Sequence, residues 1–200
     1  LGQISNPIEE PISNAGLRVE IRYLTRLPDS RGVVPAEEDV APNAWARVSY
    51  VRDLPDGRRF ANDSRGLLYR LDRDNQPTLY ANLFEIFPGG AYGGLQSGFI
   101  GFDFHPEFSR NGLFYTVHGE IADQNDGNLD FVPPGFSVDD VTYHNVITEW
   151  RAADPAADVF EGSRRELLRT GHVVDRFFHP FGHLGFNPTA EPGDADYGLL

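Results

Sequence analysis

The sequence of 200 residues contains no cysteine, no methionine and no lysine, so all 17 of its Lys or Arg positions are arginine. The absence of cysteine excludes disulfides, thiolate metal sites and cysteine nucleophiles. The absence of lysine excludes a Schiff-base lysine and a phosphate-loop lysine within this stretch. A chain of this length buries about 70% of its unfolded surface on folding, so it needs no crosslinks to build a core.

Positive charge is also scarce, because 17 arginines face 30 acidic residues and the formal net charge is −13. Nucleic-acid binding depends on clustered basic side chains, so this balance argues against a nucleic-acid partner and disfavours acidic substrates. No apolar run approaches the roughly 20 residues that span a bilayer, and no signal region opens the chain. A first residue of Leu without any Met fits the processed amino terminus of an exported protein, or equally a trimmed sequence.

Glycine, proline and aromatic residues are abundant instead, with 21 Gly, 15 Pro, 15 Phe and 8 Tyr. This composition favours short strands and turns over helices. Residues 1–16 are polar and interrupted by proline, which predicts an N-terminal arm. Residues 17–24 alternate apolar and polar side chains and predict a half-buried strand, whereas residues 162–168 are compatible with a helix or a strand.

The chain then repeats one plan three times: an apolar strand, a turn that contains proline, a glycine and a second apolar strand. The first strands and their prolines are Trp45–Val51 with Pro55, Phe99–Phe104 with Pro106, and His183–Phe186 with Pro188. Pro55 and Pro106 are 51 positions apart, close to the length of a four-stranded propeller blade. Pro106 and Pro188 are 82 positions apart because a strand-free stretch, residues 122–141, is inserted.

Further apolar strands are predicted at residues 67–71, 78–83, 144–150 and 166–169. We therefore predict an all-β fold, a β-propeller of four-stranded antiparallel blades. Its blades lie at about residues 44–84 and 96–170, and a further blade starts over residues 179–200, all in one domain from residue 17 to 200. A propeller closes with about four to eight blades, so we expect the domain to continue beyond residue 200 or to be completed by another chain.

One stretch carries a family resemblance. Residues 96–108, Gln-Ser-Gly-Phe-Ile-Gly-Phe-Asp-Phe-His-Pro-Glu-Phe, are followed by Asn-Gly-Leu-Phe-Tyr at 111–115. This segment resembles the soluble quinoprotein glucose/sorbosone dehydrogenases, which carry a Gln-x-Gly-Leu-Leu-Gly-type strand that ends in Phe-His-Pro-x-Phe. His179, Gly182 and Leu184 also resemble the family's His-x-x-Gly-x-Leu strand, which opens with its general base.

The resemblance implies a six-bladed propeller, of which this sequence covers roughly the first half, that binds pyrroloquinoline quinone (PQQ) and Ca²⁺. It implies oxidation of a sugar, aldose- or sorbosone-like, or a related alcohol, by hydride transfer to the quinone, outside the cell or in the periplasm, with an external electron acceptor. His179 would be the base, since imidazole titrates near neutral pH. Gln96 and Phe178 would contact the substrate, and the quinone and calcium ligands are expected after Leu200.

Two departures support an alternative, a propeller that has lost the cofactor and catalysis and acts as an extracellular binding module. Phe178 stands where the glucose-oxidising members have an acid, and Phe181 replaces a small residue. Asp123, Asn125 and Asp130 resemble a calcium loop in their oxygen ligands, but the closing Glu of an EF-hand is absent. The other histidines are interpreted as follows: His105 as structural, His183 as able to face the channel, and His118, His144 and His172 as surface or strand residues.

Overall fold

Alternating apolar residues and tight turns fold the described chain into two four-stranded antiparallel sheets with few helices. The computed structural model describes residues 16, 20–35, 39, 41–86, 98–124, 127–173 and 182–200. In the first sheet the strands are β1 Val48–Asp53, β2 Arg59–Asp63, β3 Leu67–Leu71 and β4 Pro77–Asn82. In the second they are β5 Phe99–Phe104, β6 Leu113–Ile121, β7 Tyr143–Ala152 and β8 Gly162–His172.

Each sheet is a meander in which sequence neighbours pair, in the orders β1-β2-β3-β4 and β5-β6-β7-β8. Turn chemistry fixes the hairpins of the first sheet: Gly57 adopts φ 85° between β1 and β2, and Asn75 adopts φ 59° between β3 and β4. In the second sheet β6 and β7 pair without interruption from Leu113 opposite Arg151 to Ile121 opposite Tyr143. Residues 162–168, which the sequence left open between a helix and a strand, form the first part of β8.

Short helices follow or connect the strands: α1 Leu83–Ile86, α2 Phe108–Asn111 and two single 3₁₀ turns, Ala122–Gln124 and Val138–Asp140. In the described part of residues 122–141 no ladder strand forms, although Phe131 makes an isolated parallel bridge to Thr170. No helix within the described ranges has the length and apolar character needed to cross a membrane.

The two sheets pack face to face through an aromatic layer. Phe104 of β5 lies 4.4 Å, centroid to centroid, from Phe60 of β2 and 5.3 Å from Phe114 of β6. Phe114 stacks in turn on Trp150 of β7 with an interplanar angle of 10°. All four rings are buried, so this layer supplies the apolar contact that holds one sheet against the other.

Because neighbouring strands are antiparallel, the odd-numbered strands of each sheet all begin at the same end, and the even-numbered strands end there. We call this the upper end. The two upper ends are joined directly, because the Phe99 amide donates to Ser64 O at 3.0 Å and Asn62 Nδ2 donates to Phe99 O at 2.7 Å. β5 and β7 begin at the upper end, and β6 and β8 end there. The Phe-His-Pro turn between β5 and β6 lies at the opposite, lower end.

Three predicted strands do not form over the described residues. Residues 20–24 form no strand, and Ile21 is 93% exposed, because period-two alternation makes a strand only where a neighbour offers a backbone ladder. Residues 182–200 also contain no strand, so neither the first strand predicted for the third repeat, at 183–186, nor the second apolar strand of that repeat, which the pattern places at 198–200, forms. In the segment at 183–186, Leu184 and Phe186 instead pack on the second sheet, and His183 contacts β1 of the first sheet. The division of the chain into an arm and blades stays a prediction.

Candidate functional site

All of the predicted catalytic and substrate-binding residues lie outside the described ranges. These are Gln96, Phe178 and His179, together with Asn125 of the calcium-loop candidate. Their positions in the sequence are nevertheless informative. In the sequence, Gln96 comes three residues before β5 begins and His179 comes seven residues after β8 ends, and both of these strand ends lie at the upper end.

The described residues that follow these two motif segments meet. Gly101 of β5 comes so close to Gly182 that a Cβ added to Gly101 would lie 3.3 Å from Gly182 O. Leu184 is buried against Tyr115 and Val117 of β6. Glycine at position 101 thus permits a close backbone approach between the segment that follows Gln96 and the segment that follows His179.

Charged side chains from the first strands of the repeats extend this contact. Arg52 and Asp103 occupy the same position, three residues before the repeat proline, and Arg52 Nε lies 3.4 Å from Asp103 Oδ1. Arg52 Nη2 also lies 3.0 Å from His183 Nε2 and donates to Leu184 O at 3.3 Å. The Phe186 amide donates to Asp103 Oδ2 at 3.2 Å. The first strands of two repeats and the predicted first strand of the third therefore meet around one ion pair.

Burial raises the pKa of Asp103, and the Arg52 guanidinium opposes that rise. Asp103 nevertheless accepts hydrogen bonds from two backbone amides, those of Phe104 at 2.9 Å and Phe186 at 3.2 Å. Tyr50 completes the cluster, because its ring lies 4.6 Å from the Arg52 guanidinium and 5.1 Å from the His183 ring. His183 therefore faces β1, the first strand of the first repeat, and its interpretation as a residue able to face the channel stays a prediction.

His105 holds the lower turn of the second sheet. Its Nδ1 accepts a hydrogen bond from the Glu107 amide at 3.0 Å and lies 2.9 Å from Asn111 Nδ2. Burial lowers the pKa of His105, which favours the neutral ring that can accept these bonds. These contacts within the lower turn support a structural role for His105.

A second cluster of charges is buried near the upper end of the second sheet. Arg169 Nη1 donates to Glu120 Oε2 at 2.5 Å and lies 2.7 Å from His144 Nδ1. His118 Nε2 lies 2.9 Å from the other Glu120 oxygen, Oε1. Arg169 also contacts both carboxylate oxygens of Glu166, from Nε at 2.8 Å and from Nη2 at 2.7 Å. This ionic cluster joins β6, β7 and β8 across the sheet.

Burial alone would raise the pKa of Glu120, but the hydrogen bonds and charges of His118 and Arg169 together lower it. Burial lowers the pKa of His144, and the Arg169 charge lowers it further. Glu120 is therefore held as a carboxylate, whereas His144 is held as a neutral imidazole. His144 and His118 were expected only to be surface or strand residues, and the structure shows both on strands and buried.

The inserted stretch is fastened to β8 beside this cluster. The Asp130 amide donates to Arg169 O at 2.9 Å, and the Arg169 amide donates back to Asp130 Oδ2 at 2.8 Å. The Gly171 amide donates to Phe131 O at 2.8 Å. Between the insertion and the sheet lies a cavity of about 560 Å³, the loop cavity. Its lining is Ala122, Asp123, Gly127, Asn128, Leu129, Val132, Val138, Asp139, Val141 and His144.

The calcium-loop candidates do not converge in the part of the chain that the structure describes. Asp123 lines the loop cavity, whereas one oxygen of Asp130 is engaged by the Arg169 amide. No three His, Cys, Asp or Glu side chains within the described ranges are arranged to hold a metal ion. Calcium binding therefore stays a prediction.

No protein-family model matches the sequence, and no curated protein matches it. Several solved structures resemble it, among them an oxidoreductase described as a glucose dehydrogenase from Thermus thermophilus, at 19% identity and a TM-score of 0.45, over 72% of this chain and 34% of that one. A second glucose dehydrogenase matches at 14% identity, a TM-score of 0.44, and coverages of 62% and 30%.

A third match is the PQQ-bound form of an aldose sugar dehydrogenase from Streptomyces coelicolor. It has 13% identity, a TM-score of 0.42, and coverages of 63% of this chain and 31% of that one. The present chain thus spans about a third of the length of each of these proteins. At TM-scores this low, the likenesses assign neither a family nor an activity to it.

Proposed function

We propose that this chain belongs to a PQQ-dependent dehydrogenase that oxidises a sugar or a related alcohol. In this proposal the two sheets are consecutive blades of a six-bladed propeller, and residues 182–200 belong to the beginning of the next blade. The protein would act outside the cell or in the periplasm and pass its electrons to an external acceptor.

The contact between Gly101 and Gly182 is the observation that carries the proposal. Residues 96–108 and 179–184 are the two segments that resemble the quinoprotein dehydrogenases, and they are separated by more than seventy residues in the sequence. The described parts of both segments pack together beside the upper end of the second sheet. A shared active site requires this proximity, and neither segment alone would produce it.

The lower turn supports the same interpretation of the motif. His105 accepts from the Glu107 amide, Asn111 Oδ1 accepts from the Leu113 amide at 2.9 Å, and Gly112 adopts φ 69°. Each of these motif residues therefore stabilises the connection between β5 and β6. Gln96 and His179 lie outside this turn in the sequence, and they are the residues that the proposal assigns to the substrate.

In the proposed reaction His179 accepts the proton of the substrate hydroxyl, and Gln96 hydrogen-bonds to a further hydroxyl and orients the sugar. Phe178 offers an apolar contact where an acid would offer a polar one. When bound, PQQ would supply the acceptor for the hydride. The resemblance places the calcium ligands and the cationic partners of the quinone after Leu200.

Reconstitution of the full-length protein tests the proposal. We expect saturable PQQ binding that requires Ca²⁺, and dye reduction with at least one aldose or polyol. His179→Ala should lower turnover by roughly 10²- to 10⁴-fold, the usual contribution of a general base, while PQQ binding stays within a few-fold. The matched control is His105→Asn, whose side-chain oxygen can replace Nδ1 as the acceptor in the lower turn, and turnover should persist.

Failure of both quinone binding and dye reduction across a panel of aldoses and polyols would overturn the proposal. Sugar binding without any quinone binding would instead identify the chain as part of a binding module. Equal turnover by His179→Ala and the wild type would remove His179 from the reaction.

A further inference from the structure

Arg52 of β1 fastens residues 183–186, which follow the predicted base His179 in the sequence, to the first sheet. Its Nη2 donates to Leu184 O at 3.3 Å and lies 3.0 Å from His183 Nε2. A guanidinium can only donate, so Nε2 of His183 is the acceptor. Arg52 therefore contacts both a side chain and a backbone carbonyl of this segment, although it precedes that carbonyl by 132 positions in the sequence.

Asp103 of β5 binds both Arg52 and the far end of the same segment. Its Oδ1 lies 3.4 Å from Arg52 Nε, and its Oδ2 accepts a hydrogen bond from the Phe186 amide at 3.2 Å. The Arg52 and Asp103 side chains are only 27% and 16% exposed, so salt screens their attraction less than that of a surface pair. The Tyr50 ring, 4.6 Å from the guanidinium, packs against Arg52. One ion pair thus holds the segment at both of its ends.

These polar contacts determine the register of the segment, because residues 182–200 contain no strand whose backbone ladder could do so. Leu184 is buried against β6, but apolar packing is non-directional. Hydrogen bonds are directional, and a slip of one residue moves an extended chain by about 3.3 Å and turns its side chains to the opposite face. The bonds from Arg52 and to Asp103 are therefore the contacts that distinguish the observed register from its neighbours.

The position of the predicted base depends on this register. His179 is four residues before His183 in the sequence, so a slip of the segment would also displace His179. We propose that Arg52 is a positioning residue for the reaction, because it fixes the register of residues 183–186 and thereby the placement of His179; this inference rests on the proposed function. A displacement of about 1 Å at a reacting group can lower a rate roughly a hundredfold, so the effect belongs in kcat.

Kinetics of the full-length protein test this role. Arg52→Met keeps the apolar stem but removes every donor, so kcat per PQQ-binding site should fall about ten- to hundredfold. KM and PQQ binding should change by no more than about threefold, because the variant leaves the predicted substrate contacts in place. The matched control is Arg59→Met, which removes another arginine of the first sheet, whose partners are Asp53 and Asn75. Its kcat should equal that of the wild type.

A second pair of variants guards against misfolding of the first. His183 is exposed, so its replacement should leave the fold intact. His183→Leu removes the acceptor for Arg52 Nη2 and should lower kcat about five- to tenfold, as for the loss of one hydrogen bond. His183→Gln keeps an acceptor and should restore kcat to within about twofold of the wild type. Equal kcat values in the two His183 variants would contradict the proposal.

A measurement without PQQ separates this proposal from the dehydrogenase. Hydrogen exchange of the Phe186 amide in the full-length protein should be at least about tenfold faster in Arg52→Met than in Arg59→Met. Equal exchange would refute the anchoring of the segment by Arg52. Faster exchange with an unchanged kcat would show that Arg52 only anchors the segment, and would refute the positioning role. Faster exchange in a protein whose wild type reduces no dye with PQQ would refute the dehydrogenase, and the positioning role with it, but keep the anchor.

Discussion

Arg65 shows how a single residue fastens the segment before β1 to the first sheet. Its side chain is fully buried. Nε donates to Asp39 Oδ2 at 3.0 Å, Nη1 to Ser30 Oγ at 2.6 Å, and Nη2 to Ala41 O at 2.8 Å and Ala44 O at 3.0 Å. Arg65→Met would leave the buried Asp39 carboxylate without this partner. We therefore expect the free energy of unfolding in urea to fall by about 3–5 kcal/mol.

The control for this prediction is Arg73→Met, because Arg73 is exposed in the turn between β3 and β4. Its effect should stay within about 0.5 kcal/mol. Arg65→Lys should also destabilise, since an ammonium cannot reproduce the planar fork that reaches four partner residues at once. Equal unfolding midpoints for the Arg65→Met and Arg73→Met variants would contradict this account.

At the residue scale, the sequence could predict the face on which a side chain lies, but not the partners of that side chain. Alternation along β6 places Thr116, His118 and Glu120 on the same face as the core residue Phe114. A buried charge on that face was therefore predictable in principle. Its partner Arg169 is 49 residues further along the chain, and only the pairing of β6, β7 and β8 brings the two together.

At the scale of elements, strands were predicted best where aromatic or aliphatic runs end at strong turn signals. The predicted bounds of β3 at 67–71 and β5 at 99–104 agree with the structure. The alternation at 17–24 was equally regular, yet its described residues 20–24 form no strand. The local pattern describes which side chains a strand could bury, whereas strand formation also requires a hydrogen-bonded neighbour.

Gly112 lies at the closely packed junction between α2 and β6. It adopts φ 69°, and a Cβ there would lie 2.5 Å from Ala152 O. Gly112→Ala therefore combines a left-handed backbone with a backbone clash, and we expect a loss of about 2–5 kcal/mol in the free energy of unfolding.

Gly57→Ala is the matched control, because Gly57 has φ 85° but nothing within 4 Å of an added Cβ. It should lose stability from the left-handed conformation alone, about 1–2 kcal/mol. The difference between the two variants, measured by chemical denaturation, isolates the contact with Ala152. Equal losses of stability in the two variants would show that the backbone around Gly112 and Ala152 accommodates the added Cβ with no loss in the free energy of unfolding.

At the scale of the whole molecule, the two sheets are coupled both by the aromatic layer and by arginines that cross between them. Arg70 of β3 donates to Ala156 O at 2.8 Å and Ala157 O at 3.0 Å in the β7–β8 connection. Arg58 donates to Pro155 O in the same connection. The Phe160 amide donates to Tyr80 O of β4 at 2.7 Å. These contacts at the lower end complement the Phe99–Ser64 bond at the upper end, so we treat unfolding of the described sheets as cooperative.

The free energy of unfolding should therefore decrease as the pH falls, because the protein contains histidines whose pKa is lowered by burial. Burial lowers the pKa of His105, His144 and His172. Below about pH 6.5 the unfolded chain takes up protons that the folded protein does not, so stability is lost between that pH and the folded pKa values. Each histidine adds at most about 1.4 kcal/mol per pH unit to the slope, and less at the partly exposed His105 and His172.

The measurement is the free energy of unfolding in urea at pH 7.5, 6.5 and 5.5, which we expect to fall most steeply over the last interval. Glu120, whose pKa is lowered by His118 and Arg169 against the effect of burial, would add its own loss only as the pH falls below about 4.5. His105→Asn should reduce the slope between pH 6.5 and 5.5, since Asn has no proton to gain. A stability that rises on acidification through this interval, or an unchanged slope in His105→Asn at equal cooperativity, would contradict the assignment of neutral imidazoles to the folded state.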